Sequence, residues 1–164
     1  MTYKDSYIWQ LRQQVGQQKL LIPAAAIVVE NSDGELLLQQ RADTKEWGFP
    51  GGSAEQGQDF ADVAISELQE EVGLTVDRND LIPFASLSQP QNNTFYYPNG
   101  DVTHYFALCF LVKQWQGELT PEPEECLDAC FFHVSKMPKN LSVGTSSLIH
   151  HLGEFTKSGL FQLG

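Results

Sequence analysis

The amino-acid sequence predicts one domain of the α/β or α+β class, a sandwich in which a few helices pack on a mixed β-sheet. Its length, 164 residues, is that of a single domain. Hydrophobic residues make up 41% of the chain, a share ordinary for folded proteins, which excludes disorder as the main state. Runs of strand length alternate with few helical patterns, and no repeat or linker divides them. Residues 1–164 are therefore expected to form one domain.

The first predicted element is a short amphipathic helix over Ser6–Val15, within an N-terminal segment of residues 1–18. Ser6 is the residue type of an N-cap, and Gly16 marks the end of the helix. The apolar stripe of this helix is expected to pack on the domain or on a second copy of the chain. Its members are Tyr7, Ile8, Leu11 and Val15.

Two strands and a long loop are predicted next. Leu20–Glu30 has the pattern of a buried strand, and Glu35–Gln40 that of a second strand. The turn residues Asn31–Gly34 separate them, so the two strands are expected to pair as a hairpin. Residues 42–57 are predicted to be a loop centred on the glycine-rich run 47–52.

The second half of the chain contains the signals of further strands. Leu81–Leu87 is predicted to be a strand, and Thr94–Tyr97 and Val102–Trp115 are aromatic and β-branched runs. The turn between those two runs contains Asn99 and Gly100, a strong signal for a β-hairpin.

The C-terminal part is predicted to contain an acidic loop, a strand and a closing helix. The loop covers Glu118–Cys126 and the strand Ala129–Val134. The helix covers Val143–Phe155 within a C-terminal segment of residues 142–164.

The charge balance excludes several partners. Ten Lys and Arg against 21 Asp and Glu give a formal net charge of −11. Binding to nucleic acid or to an anionic membrane needs clustered basic residues, which are absent from this sequence. A phosphorylated small molecule would also be repelled unless divalent cations lie between the two anions. Three cysteines are too few for a disulfide framework, and no secretory signal is visible, so a cytoplasmic location is expected.

The strongest helical pattern lies over Gln58–Val72, and Gly73 occupies the position of a C-terminal glycine cap. Glu67, Glu70 and Glu71 project from one side of this helix. Like charges at these spacings repel, and the helix macrodipole disfavours acids near its C-terminus. A Mg²⁺ or Mn²⁺ ion would reverse the penalty because hard divalent cations bind carboxylate oxygens. A solvated acidic face is the alternative interpretation.

Residues 52–74 resemble the Nudix box, the signature of the Nudix (MutT-like) hydrolase family. The core of that box reads Arg-Glu-apolar-x-Glu-Glu-x-Gly-apolar. The stretches 36–41, 47–52 and 124–132 are also similar to segments of the family, so the resemblance covers about residues 20–140. The box positions in register are Gly52, Glu67, Leu68, Glu70, Glu71, Gly73 and Leu74.

The resemblance implies a Nudix-type α/β/α sandwich with a mixed β-sheet. It also implies a hydrolase that cleaves the pyrophosphate bond of a nucleoside diphosphate linked to a moiety X, with Mg²⁺ or Mn²⁺ as cofactor. A nucleotide sugar such as ADP-ribose is the preferred small-molecule substrate. A homodimer through the N-terminal helix or an edge strand is a further expectation.

Two positions depart from the family pattern. Gln58 stands where the family has Glu, and Ser66 stands where it has Arg. The Arg of the family is understood to hold the catalytic Glu by a charge-assisted bond, which Ser66 cannot form. The alternative prediction is therefore an attenuated or inactive Nudix-fold module that binds a nucleotide or a protein.

The resemblance assigns roles to the acidic residues. Glu67, Glu70 and Glu71 are the predicted metal ligands and catalytic groups. Gln58 is a weak or water-mediated ligand, and the backbone carbonyl of Gly51 or Gly52 is a further one, since glycine allows close approach. The general base is Glu67 or an acid near the predicted loop, whose candidates are Glu124, Glu125 and Asp128.

Four residues are predicted to contact the substrate. Arg41 is the candidate cation for phosphate, with a surface strand end as the alternative. Trp47 lines the pocket or fills core space. Pro90 occupies a position where ADP-ribose-hydrolysing members often have proline, although a turn residue explains it as well. Tyr97 stacks on a base or packs across a hairpin.

Overall fold

Two β-sheets with helices on their faces make up the architecture of the computed structural model, which describes residues 6–164. The predicted mixed α/β class is confirmed. Residues 1–5 of the predicted N-terminal segment lie outside the described residues. The α-helices are α1 (Tyr7–Val15), α2 (Phe60–Val72), α3 (Pro90–Asn93) and α4 (Val143–Ser158).

The strands follow one another along the chain with few helices between them. They are β1 (Leu20–Val29), β2 (Leu36–Arg41), β3 (Trp47–Gly48), β4 (Gly51–Ser53), β5 (Ile82–Leu87), β6 (Thr94–Tyr96), β7 (Val102–Val112), β8 (Cys126–Phe132) and β9 (Gln162–Leu163).

The larger sheet has six strands, ordered β4-β1-β7-β5-β9, with β6 paired to β7 as well. Strands β1 and β7 run parallel over the whole length of β1, from Leu20 opposite Thr103 to Val29 opposite Val112. Strand β4 is antiparallel to β1, and β5 and β6 are antiparallel to β7, whereas β9 runs parallel to β5, so the sheet is mixed. The predicted hairpin formed by β6 and β7 is confirmed.

The smaller sheet consists of β3, β2 and β8, all antiparallel. The predicted hairpin between the first two strands is therefore wrong, because β1 and β2 belong to different sheets. Only a single bridge, from Glu30 to Leu36, joins them next to the turn. Both edges of β1 are occupied by β7 and β4, so β2 pairs with β8 and β3 instead. The predicted loop over residues 42–57 also contains the two short strands β3 and β4.

Helices α2 and α4 cover opposite faces of the larger sheet. On one face, Leu68 and Val72 of α2 pack in a cluster with Ile27 of β1. On the other face, Leu148 and Leu152 of α4 pack with neighbouring positions of β1 and β7. Because successive side chains of a strand point to opposite faces, β1 is apolar along nearly its whole length. The result is a helix–sheet–helix sandwich.

The ends of α2 explain its boundaries. Asp59 is the N-cap and forms a capping box with Asp62, so the helix begins two residues later than predicted. Gly73 adopts a left-handed conformation with φ of 78° and closes the helix as predicted. This end is where Glu70 and Glu71 lie.

The remaining predictions differ mainly at boundaries. Ser6 caps α1 through its side chain, which accepts a hydrogen bond from the Trp9 amide, and α1 packs on the domain. Strand β8 begins at Cys126, earlier than predicted, and β9 is an unpredicted strand within the segment expected to be helical. No helix between residues 6 and 164 has both the length and the apolar character needed to cross a bilayer.

Candidate active site

One face of β2 leads from the core to the site. Leu37, Gln39 and Arg41 alternate along the strand and therefore point to the same side. Leu37 is buried in the cluster beneath α2, and the side chain of Gln39 forms a hydrogen bond with the Glu71 carboxylate. Arg41, at the end of the strand, lines the cavity described below. The alternation of β2 thus carries one apolar residue and two polar residues toward α2.

Two glycines allow β4 to lie against the carboxylates of α2. The amide of Gly51 donates a hydrogen bond of 2.9 Å to Oε2 of Glu71. A Cβ atom on Gly51 would overlap the backbone of Ala25 in β1, so the residue must be glycine. A Cβ on Gly52 would overlap the carboxylate of Glu67. The two glycines therefore fit beneath the acidic side of α2.

Burial and mutual repulsion perturb the acids of α2. Burial raises the pKa of Glu67 to about 8, and the charges of Glu71, Glu70 and Glu125 add to the effect. Burial also raises the pKa of Glu71 to about 7, although hydrogen bonds from Gln39 and Gly51 oppose the shift. The charged forms of these two carboxylates are therefore disfavoured in the unliganded protein.

The acids open onto a cavity of about 690 Å³. Glu67, Glu70 and Glu71 line one part of it, and Glu125 stands exposed at its rim. Partial burial nevertheless raises the pKa of Glu125, and the charge of Glu70 raises it further. The floor is the face of the larger sheet that carries small side chains, which leaves the space open. These residues are Ala24, Ala26, Ala107 and Cys109.

Arg41 is a cation inside this cavity. Its Nε and Nη2 donate hydrogen bonds of 3.0 and 2.9 Å to the two carboxylate oxygens of Asp43. Burial alone would lower the pKa of Arg41, but the Asp43 carboxylate keeps it above its ordinary value. The guanidinium also interacts electrostatically with Glu71 and with Tyr97. It therefore lies between the acidic part and the aromatic part of the cavity.

The aromatic part of the cavity is formed by β6 and β7 and the turn between them. The hydroxyls of Tyr97 and Tyr105 are hydrogen-bonded at 2.8 Å. The ring of Phe95 stacks near Tyr97 and meets Tyr105 edge-on, with centroids 5.5 Å apart for the second pair. Burial and the bond to Tyr105 raise the pKa of Tyr97, so its hydroxyl stays neutral. Tyr97 thus lines the same cavity as the acids.

The two departures from the Nudix box contact each other. Nε2 of Gln58 donates a hydrogen bond of 3.3 Å to the hydroxyl of Ser66. Oε1 of Gln58 accepts a hydrogen bond of 2.9 Å from the amide of Glu55. Ser66 in turn donates to the carbonyl of Asp62 at 2.9 Å. Each end of the Gln58 amide has a protein partner, so Gln58 connects the loop before α2 to the helix, and it also lines the cavity.

Two predicted substrate residues lie outside the cavity lining. Trp47 packs edge-on against Phe132, with ring centroids 5.1 Å apart. Pro90 is exposed and begins α3, where its ring suits the first helical turn. The sequence analysis did not identify Gln39 as a site residue. A polar side chain two residues after the inward-facing Leu37, on a buried strand, is the signal that could have identified it.

The fold and the acidic cavity define a hydrolase domain of the Nudix class. A family model for the NUDIX domain matches residues 20–152, so the chain belongs to the Nudix family of pyrophosphohydrolases. Within that family it is a MutT-like hydrolase. The match begins at residue 20, after α1.

Two curated relatives and one solved structure illustrate the similarity. The 8-oxo-dGTP diphosphatase of Haemophilus influenzae is 28% identical over 104 residues, 61% of this chain and 68% of that protein. The 8-oxo-dGTP diphosphatase of Escherichia coli is 30% identical over 95 residues, 56% of this chain and 65% of that protein. The chain thus spans about two thirds of the length of these relatives. A MutT Nudix hydrolase from Burkholderia pseudomallei shares the fold, with a TM-score of 0.67 at 20% identity, covering 80% of this chain and 98% of that chain.

Proposed function

We propose that this protein hydrolyses the pyrophosphate bond of a nucleoside diphosphate linked to a moiety X, with Mg²⁺ or Mn²⁺. The observation that carries the proposal is that one cavity contains all the groups the reaction needs. It joins the three acids of α2 to a cation, Arg41, and to an aromatic part around Tyr97. These parts are complementary to metal ions, to a pyrophosphate and to an organic ring.

The donor set suits a hard divalent cation. Glu67, Glu70 and Glu71 offer carboxylate oxygens. Burial, with a smaller contribution from neighbouring negative charges, raises the pKa values of Glu67 and Glu71, and a bound cation would stabilise their charged forms. Among residues 6–164, no three His, Cys, Asp or Glu side chains are placed to hold a metal ion by themselves. Magnesium is commonly held by one or two carboxylates together with substrate phosphates and waters, so this arrangement fits it. The bound ion supplies charge neutralisation and activation of water.

The residues of the chain would perform the other parts of the reaction. Arg41 would bind phosphate oxygens, because a guanidinium forms charge-assisted bonds with them. Glu125 is the proposed general base, since its carboxylate stands at the rim of the cavity and its pKa is raised above the ordinary value. Gln39 and the amide of Gly51 would hold the Glu71 carboxylate in position.

The test is a hydrolysis assay with Mg²⁺ or Mn²⁺ in which chromatography separates the nucleoside monophosphate product from the substrate. The substrates are ADP-ribose, a UDP-sugar and 8-oxo-dGTP, the last because two relatives are 8-oxo-dGTP diphosphatases. Glu71→Gln removes one charge of the cluster, and Glu118→Gln, an exposed acid outside the cavity, is the matched control. Hydrolysis that is lost in Glu71→Gln and kept in Glu118→Gln is expected. The proposal fails if no substrate is hydrolysed faster by the wild type than by Glu71→Gln.

A second candidate function is nucleotide binding without turnover. The neutral pair of Gln58 and Ser66 favours it, because the hydroxyl of Ser66 is engaged by Gln58 and by the α2 backbone and supplies no positive charge next to Glu67. The double substitution Gln58→Glu with Ser66→Arg restores the family residues. Tight nucleotide binding by the wild type, with turnover only in the restored variant, would identify a binding protein.

A further inference from the structure

We propose that α1 forms the wall of the cavity that binds the nucleobase of the substrate, with Ile8 as the contact residue. This inference rests on the proposed function, in that the ligand is a nucleotide. Helix α1 covers Tyr7–Val15 and lies outside the matched family domain, which begins at residue 20. The wall thus lies outside the residues that the family model matches.

Helix α1 shares the cavity with the acids of α2. Ser6, Ile8 and Arg12 line the same space as Glu67 and Glu71. Ile8 and Arg12 are four positions apart and therefore lie on one side of the helix. Ile8 is 9% exposed and Arg12 is 7% exposed, which shows that this side faces the protein.

Arg12 fixes α1 over the strands of the aromatic part. Its Nη2 donates to the carbonyl of Val102 at 2.8 Å and to the hydroxyl of Thr103 at 3.1 Å, and its Nε is 3.5 Å from Asp101. Nη1 donates to the carbonyls of Gly16 and Gln18 at 3.0 and 2.5 Å. Because its three nitrogens are engaged by the protein, Arg12 holds the helix in place, and the apolar Ile8 is left as the side chain that can touch a ligand.

The start of α1 is fastened to the loop of the Nudix box. The amide of Tyr7 donates to both carboxylate oxygens of Glu55, at 3.0 and 2.8 Å. Glu55 is held through its own amide by Gln58, which also bonds to Ser66 beside the catalytic acids. The position of α1 is thus set relative to α2 by direct contacts as well as by packing.

The chemistry opposite α1 suits a flat ring. Phe95 lies directly across the strand pair from Thr103, the residue that Arg12 contacts. Phe95, Tyr97 and Tyr105 present aromatic faces together with two hydroxyls, a combination that stacks on a base and bonds to its polar edge. Arg41 interacts with Tyr97, so a ring bound here would place its phosphates toward the acids.

The test compares ligands with and without a base. Isothermal titration calorimetry with Mg²⁺ would measure α,β-methylene-ADP, α,β-methylene-UDP and methylenediphosphonate, which has no nucleoside. The variants are Ile8→Ala and the milder Ile8→Val, and Gln13→Ala on the exposed side of α1 is the control. Far-ultraviolet circular dichroism and thermal melting establish that each variant is folded.

Ile8→Ala is expected to weaken the tighter nucleotide analogue about tenfold, because apolar contact area is lost. Ile8→Val, which removes one methylene, should weaken it by up to about fourfold. Methylenediphosphonate should bind equally to all variants. The inference is overturned if Ile8→Ala behaves like Gln13→Ala. It is also overturned if Ile8→Ala weakens all three ligands equally, or if the wild type binds methylenediphosphonate as tightly as the analogues.

The outcome is separable from that of the hydrolysis assay. A protein that shows Ile8-dependent binding of the base but no turnover would refute the proposed hydrolysis and support the nucleobase wall. A protein that hydrolyses its substrate with unchanged KM in Ile8→Ala would refute the wall and leave the hydrolysis intact.

Discussion

Replacing Gly52 by alanine is the most local way to displace Glu67 without changing its charge. The added Cβ would lie 2.8 Å from Oε2 of Glu67 and closer still to the other two atoms of that carboxylate. Real Cβ atoms do not approach other atoms so closely, so the carboxylate must move by a distance on the order of 1 Å. A displacement of that size can lower a rate about 100-fold.

The stability of the protein should change much less. The backbone of Gly52 is not in the left-handed region, so alanine can adopt it. Alanine also reduces the conformational freedom of the unfolded chain, which contributes about 0.4–1 kcal/mol in favour of folding. We therefore expect kcat to fall about 100-fold. The melting temperature should move by only a few degrees, about as expected for 1 kcal/mol.

The assay is steady-state hydrolysis of the best substrate, with thermal melting alongside. Gly153→Ala is the matched control, since it lies in α4 with open space around its Cβ position. A double-mutant cycle tests the contact directly. In a Glu67→Gln background, Gly52→Ala should cost little further activity, because the carboxylate that it displaces is already absent. Wild-type kcat in Gly52→Ala, or full additivity in the cycle, would refute the proposed contact.

Four further substitutions follow from single contacts. Gln39→Leu removes a hydrogen bond to Glu71 and should lower Mg²⁺ affinity or activity about 10–100-fold. Titration of Mg²⁺ in the hydrolysis assay measures the effect, and an unchanged titration curve would contradict the role of Gln39. Arg41→Ala should raise KM for the nucleotide about tenfold or more, with a smaller effect on stability. Steady-state kinetics measure the change, and equal KM values would show that Arg41 does not bind the substrate. Arg12→Met strips partners from buried carbonyls and should destabilise the fold by about 3–5 kcal/mol in urea unfolding, and a loss below about 1 kcal/mol contradicts its anchoring role. Asp59→Ala should lower the free energy of unfolding by about 1 kcal/mol through the lost N-cap of α2. A loss of activity without a loss of stability would be inconsistent with that role.

The parts of the fold that depend on local patterns were predictable. Three such features each depend on a few neighbouring residues. They are the apolar stripe of α2, the glycine that ends this helix, and the Asn-Gly turn between β6 and β7. The acidic face of α2 follows from helical spacing alone, so Glu67 and Glu71 could be assigned to one side before the structure was known.

The partners of strands were less predictable, because a strand pattern does not state which edge it joins. The segment Asn31–Gly34 has the composition of a hairpin turn, yet the two strands that it connects enter different sheets. The separation is decided by β7, whose pairing with β1 spans more than seventy residues of sequence and satisfies the whole length of that strand. Such a non-local preference leaves no signal in the turn itself.

The contacts that join distant segments were also beyond the sequence. Gln58 and Ser66 each looked like an isolated departure from the Nudix box, but they form a hydrogen-bonded pair. Ile8 belonged to an apolar stripe that favours simple packing, and only the position of Arg12 over Thr103 reveals that the stripe borders the cavity. Both cases depend on tertiary geometry at positions where the local pattern is compatible with a structural role.

The acids of α2 combine three unfavourable features in one place. They repel one another, they lie near the end of a helix whose dipole disfavours them, and Glu71 is only 4% exposed. In a chain with a net charge of −11, the surrounding field does not relieve these penalties. Hydrogen bonds from Gln39 and Gly51 stabilise Glu71 in part, yet its pKa remains raised to about 7. Divalent cations would relieve all three penalties while attracting a polyphosphate, so the arrangement that weakens the unliganded fold is the one that prepares it to bind its substrate.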